Sequence, residues 1–130
     1  MVDTNILVSA MLFRSGGVSA LLKEIVRNYE ICICTFSVEE LRLVMRKKFP
    51  ECINEIDYFL NELSFELVYT PKNIDIENMP YVRDKKDYPI LAAAMASDAD
   101  VLLSGDKDLL AVEINRPEIL NLKNFNEKFL

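Results

Sequence analysis

A chain of 130 residues, net charge −6 and 51% hydrophobic content is long enough for one buried core and too apolar for general disorder. No apolar run approaches the roughly 18 residues of a membrane span, and no basic-apolar-small secretion signal opens the chain, so a cytoplasmic protein without a membrane partner is expected. The absence of histidine excludes Ser-His-Asp and Cys-His catalysis and histidine-bearing zinc sites, and three glycines leave room for neither GxGxxG nor GxxxxGK[ST].

In order, the chain reads as alternating strands and helices. Met1 and Val2 open a short first strand, followed by Asp3-Thr4-Asn5 and then Ile6, Leu7 and Val8. Arg14-Ser15-Gly16-Gly17 is a turn, after which Val18, Leu21, Leu22, Ile25, Val26 and Tyr29 recur at helical spacing. Ile31–Thr35 is a second strand. Its Cys32 and Cys34, with Cys52, form an odd set of three, which suits small buried thiols better than a disulfide or a zinc site. Ser37 is a good N-cap for a helix to about Phe49, with Val38, Leu41, Val44 and Met45 facing the core. Pro50 breaks that helix and opens another, whose core face is Ile53, Ile56, Phe59, Leu60 and Leu63. Phe65–Tyr69 is a third strand, and Thr70 to Pro80 is a surface loop.

The stretch from Asp84 to Asp108 is the richest. Asp87 and Pro89 mark a helix start. Ile90, Leu91, Ala94 and Met95 form its core face, and Ala92, Ala93 and Ala96 allow a close approach to a sheet. Asp98 to Asp100 turn into an apolar strand, Val101–Leu103, which ends in Ser104-Gly105-Asp106. A short helix from about Asp108, a last strand at Ile119–Leu122 and a helical turn or two from Asn124 to Leu130 complete the chain. The expected architecture is one α/β domain over residues 1–130, with a mainly parallel sheet of about five strands. If the first strand lies beside Val101–Leu103, Asp3 and Asp106 occupy neighbouring strand ends at a topological switch point, with Asp87 close by. Carboxylates so placed repel one another unless a cation neutralises them, and hard oxygen ligands suit Mg²⁺ or Mn²⁺. The competing reading makes Asp3 a turn residue and Asp87 and Asp106 helix caps, and the residues alone do not choose.

Asp3-Thr4-Asn5, Glu40-Leu41 on the second helix, Asp87 before Ile-Leu-Ala-Ala-Ala, and Ser104-Gly105-Asp106 after an apolar strand occur here in sequence. In these elements the chain resembles a PIN domain over essentially its whole length. VRDKKDYPILAAAMASDADVLLSGDKDLL is most similar to the branch of toxin components of toxin–antitoxin systems. The resemblance implies a three-layer sandwich, a parallel sheet flanked by helices, and a metal-dependent endoribonuclease acting on single-stranded or structured RNA. It assigns the catalytic, metal-holding set to Asp3, Glu40, Asp87 and Asp106, and supporting positions to Asn5 and Ser104. Only the resemblance selects Glu40; helix geometry sets Glu39 and Glu40 on opposite edges of the core face, and Glu39 suits the positive helix start.

Asp84 and Asp108 read as supporting ligands or solvated acids, Asp108 more as the latter. Lys85, Lys86, Lys107 and Arg14 are expected to hold the phosphodiester as point charges. Arg42, Arg46, Lys47 and Lys48 suit a solvated helix face as well as they suit RNA phosphates. The implied partners are an RNA substrate, a cognate antitoxin and a second copy of the chain, with Tyr81, Tyr88 and the Thr70–Pro80 loop as candidate surfaces. The resemblance also implies a longer first strand than Met1 and Val2 supply. A structure-specific DNA nuclease and a non-catalytic binding or assembly module are the alternatives. An aspartyl phosphatase fits less well, because Asp3-Thr4-Asn5 lacks a second aspartate two residues on.

Overall fold

Short parallel strands form the centre of the protein, which the computed structural model describes over residues 1–130. β1 (Ile31–Cys34) pairs with β2 (Phe65–Val68), and β3 (Val101–Leu103) pairs with β4 (Glu118–Leu120). Met1 to Asp3 lie between the two pairs. The Val2 N–H donates to the Cys32 carbonyl at 3.1 Å, the Leu103 N–H to the Met1 carbonyl at 2.8 Å, and the Asp3 N–H to the Leu103 carbonyl at 2.9 Å. The expected five strands are therefore four strands and a single parallel bridge, Val2 to Leu103. The first strand stops there because Asp3 already caps a helix.

That helix, α1 (Thr4–Leu12), is absent from the sequence expectation. Ile6, Leu7, Ala10 and Met11 are buried on it, and Val8 and Leu12 are partly buried. A helix apolar nearly all round lacks the one-sided pattern that identifies an amphipathic helix. α2 (Gly17–Asn28) buries Leu22 and Ile25 as its periodicity predicts. α3 (Thr35–Lys48) starts ahead of Ser37, because its cap comes from another element. The Thr70 hydroxyl, just beyond β2, accepts the Phe36 N–H at 3.1 Å, and the Thr35 hydroxyl accepts the Thr70 N–H at 3.0 Å. Ser37 is instead buried, its Oγ 3.3 Å from Cys34 Sγ. Pro50–Glu55 winds as a 3₁₀ turn before α4 (Ile56–Glu62), and all three cysteines are free thiols.

α5 (Tyr88–Ala96) buries Ile90, Leu91, Ala92, Ala93 and Ala94, whereas Met95 is 39% exposed and Ala96 is also exposed, contrary to expectation. α6 (Lys107–Leu110) follows β3. β4 ends at Leu120 rather than Leu122, because Asn121 caps α7 (Leu122–Phe129) by accepting the Asn124 N–H at 2.8 Å. The helices cover both faces of the sheet. Leu7, Leu22, Leu41, Met45 and Phe59 belong to one buried cluster, and Ile90, Leu91, Leu102 and Leu109 to the other. Each such side chain withdrawn from water stabilises the fold by about 1.5–3 kcal/mol. The result is a three-layer α/β sandwich. No single helix is long and apolar enough to cross a membrane.

Candidate metal centre

The carboxyl ends of the N-terminal segment and β3 meet at Ser104. Its fully buried hydroxyl donates to Asp3 Oδ2 at 2.7 Å and accepts the Asp106 N–H at 3.0 Å. Asp3 Oδ1 accepts the Thr4 N–H at 2.7 Å, and Asp106 Oδ1 accepts the Asp108 N–H at 2.8 Å. Both aspartates are thus helix caps: Asp106 as the competing reading had it, and Asp3 where that reading had a turn residue. An ionised carboxylate keeps further lone pairs after accepting one such bond per oxygen.

Asp87 occupies the N-cap position of α5 without acting as a cap. Its Oδ2 is buried and has no hydrogen-bond partner. Burial, followed by the negative charges of Asp106, Asp84, Asp3 and Asp108, pushes its carboxyl up to about 7. The Asp3 carboxyl is also raised: burial outweighs the hydrogen bonds from Ser104 and Thr4, and the charges of Glu40 and Asp106 add to the rise. Glu40 is half-buried on α3 and its charge is felt at Asp3, while Glu39 is exposed. Asp84 caps the 3₁₀ turn Lys85–Asp87 by accepting the Lys86 N–H at 3.0 Å. Asp84, Asp87 and Asp108 each offer an oxygen within 4.8 Å of the other two.

Six acids converge, and the residues expected around them divide. Lys85, Lys86 and Lys107 are exposed close to the acids in sequence and form no ion pair with them. Arg14 is separate: it follows the far end of α1 from Asp3 and lies 5.9 Å over the Tyr58 ring. Asn5 is exposed on the first turn of α1 and makes no side-chain hydrogen bond. Tyr88 is buried, its hydroxyl accepting the Val82 N–H at 3.1 Å, so it cannot present a docking surface; Tyr81 is 75% exposed. Arg42 pairs with Asp57 at 2.7 Å, in keeping with a solvated helix face.

Asp108 is no solvated acid. Arg83 grips it through Nε to Oδ1 and Nη2 to Oδ2, both at 2.7 Å, and these bonds hold its carboxyl below the ordinary value. Arg83 had only a basic-cluster signal in the sequence; nothing local announces a partner 25 residues away. Thr4 is the other unanticipated residue, with a buried, unpartnered Oγ1 next to Asp3 in the chain.

The donor set consists of carboxylate oxygens with a surplus of negative charge, which suits a hard divalent cation. The buried, unpartnered oxygen of Asp87 is the kind of group that a cation would relieve.

The sequence model of the PIN domain matches residues 1–108, a stretch that contains all six acids and stops short of β4 and α7. The fold is similar to a chain in the crystal structure of VapBC2 from Rickettsia felis bound to a DNA fragment from their promoter. The TM-score is 0.68 at 19% identity, covering 93% of this chain and 96% of that one. At that identity the likeness is one of fold. No match was found among curated proteins.

Proposed function

The chain belongs to the PIN-domain family, and from that premise we propose a Mg²⁺- or Mn²⁺-dependent endoribonuclease, the toxin of a toxin–antitoxin pair, built on one domain over residues 1–130. One observation carries the reading: Ser104 ties Asp3 to the backbone of Asp106 at one sheet edge, and an oxygen of Asp87, whose carboxyl feels both their charges, is buried without a partner.

Asp3, Asp87 and Asp106 would hold the cation, with Glu40 beside them and oxygens of Asp84 and Asp108 within 4.8 Å of Asp87. A bound Mg²⁺ or Mn²⁺ would supply a water of lowered pKa and offset negative charge on the phosphate. The chain's own work is placement. Ser104 fixes Asp3 and the backbone of Asp106 together, and the two caps keep both carboxylates from turning away. Asp87 keeps an oxygen free. No side chain has to act as general base, consistent with a chain that has no histidine. Lys85, Lys86 and Lys107 receive the phosphodiester. Single-stranded or looped RNA suits such an edge, because its bases and backbone can be splayed into an open site.

The similarity of the fold to VapBC2, together with the toxin-like wording of residues 82–110, supports a protein antitoxin as partner; a cytoplasmic setting and a second copy as a further partner are part of the same proposal. The test is cleavage of mixed-sequence single-stranded RNA in Mg²⁺, Mn²⁺ or EDTA by the wild type, Asp3→Asn and Asp106→Asn, with flap DNA as competitor. Metal-dependent RNA cleavage lost in both variants is the expected result. Preference for the flap would transfer the chemistry to DNA. A folded wild type that neither cuts nor binds metal would refute catalysis.

A further inference from the structure

Of the six acids at the site, only Asp108 has a basic side chain in contact with it, and that side chain is Arg83. The fork is bidentate, 2.7 Å on each arm, and uses Nε and Nη2. The two partners are unequally placed: the Asp108 side chain is 19% exposed and that of Arg83 is 73% exposed. The acid is largely covered and the guanidinium largely open to solvent. Asp108 also has an oxygen within 4.8 Å of oxygens of Asp84 and Asp87, so the Arg83 charge stands next to the position a cation would share with them. Two positive charges so close compete for the same carboxylate.

The backbone on either side of Arg83 is anchored. Val82 is buried, with its N–H on the Tyr88 hydroxyl, and Asp84 caps the turn that follows. A change of partner therefore needs only a side-chain rotation. Lys85, Lys86 and Lys107 have no hold on the acids, whereas the planar fork of an arginine fits a phosphate as well as it fits a carboxylate.

We propose that Arg83 is the resident counter-ion of the acidic site: it occupies Asp108 until a divalent cation takes over that carboxylate, and the released guanidinium then binds a phosphate of the substrate strand. This rests on the metal-dependent nuclease reading. It assigns Arg83 two linked roles, limiting the site's cation affinity and coupling cation occupancy to strand binding.

The experiment measures Mn²⁺ binding to the full chain by calorimetry at low salt, for the wild type, Arg83→Gln and Arg83→Lys. Arg83→Gln is expected to bind Mn²⁺ roughly three- to tenfold more tightly, the difference shrinking as salt screens the competing charge. Arg83→Lys keeps the charge and stays near the wild type. A labelled single-stranded RNA, with Ca²⁺ in place of Mn²⁺ to hold back cleavage, then reads the second role. Arg83→Gln loses RNA affinity when the cation is present and matches the wild type in EDTA. Weaker Mn²⁺ binding by Arg83→Gln would make Arg83 a support for Asp108 as a ligand, and unchanged binding would reduce the pair to a surface contact; either overturns the proposal. Equal RNA loss with and without cation overturns the exchange. A wild type that binds no Mn²⁺ brings down the nuclease reading and this inference together, whereas wild-type binding without a tighter Arg83→Gln brings down the inference alone.

Discussion

Asp87→Asn should make the metal-free protein more stable and the loaded protein inactive. The Asp87 carboxyl is pushed up to about 7, against an ordinary value of about 3.9. The folded chain therefore binds more protons than the unfolded chain between those values. Stability is fully present below the unfolded value and is lost as pH rises through the folded one. Three units at ~1.36 kcal/mol each set a ceiling of ~4 kcal/mol, and solvent screening of a partly exposed group reduces this to about 1–2 kcal/mol. An unfolding entropy of about 2.1 cal/mol/K per residue over 130 residues converts that into a melting point about 4–7 °C higher for the variant at pH 8. At about pH 4 the two proteins should melt together. Circular dichroism melts in EDTA at both pH values measure this directly. Excess Mn²⁺ should reverse the order at pH 8, because a cation at 100-fold excess over its Kd adds about 2.7 kcal/mol to the protein that binds it. A variant less stable than the wild type at pH 8 in EDTA would refute the account, as would an equal gain at both pH values.

Ser104→Ala removes the bond to Asp3 Oδ2 and the acceptor of the Asp106 N–H, leaving buried groups unpaired. Denaturant unfolding should show a loss of about 1–3 kcal/mol, and an unchanged midpoint would mean that Ser104 does not tie the two acids. Thr70→Val deletes the hydroxyl that caps α3 from outside it, which should cost about 1 kcal/mol and speed hydrogen exchange at the Phe36 amide; slow exchange there would show the cap to be dispensable. The same change should leave Mn²⁺ affinity intact, because Thr70 touches none of the six acids.

The site's frame is legible wherever local signals agree with the fold. The apolar run Val101–Leu103 is a strand, Met1 and Val2 bridge to it, and Asp3 and Asp106 therefore fall at neighbouring ends. Asp87 opens α5 as Pro89 suggests. The helix Thr4–Leu12 is not legible, because burial on nearly every side erases the contrast that periodicity depends on. The start of α3 misleads for a different reason: Ser37 looks like a cap, but a threonine from beyond β2 supplies the real one. Long-range pairing also hides Arg83 and corrects Asp108, since a side-chain fork spanning loops leaves no local pattern. Glu40 is half-buried where α3 packs and its charge is felt at Asp3, which helix geometry alone does not foretell.

The hydrogen bond from Ser104 to Asp3 closes a loop of 101 residues. Contacts this distant in sequence are bought late, after most of the chain's conformational entropy has already been surrendered. Chemistry at this edge is consequently a property of the finished fold. A chain still emerging from the ribosome, with residues up to about 100 exposed, holds Asp3, Glu40 and Asp87 but neither Ser104 nor Asp106, and so has no assembled site. If the proposed nuclease reading holds, that order of events withholds the metal site until this segment has been made.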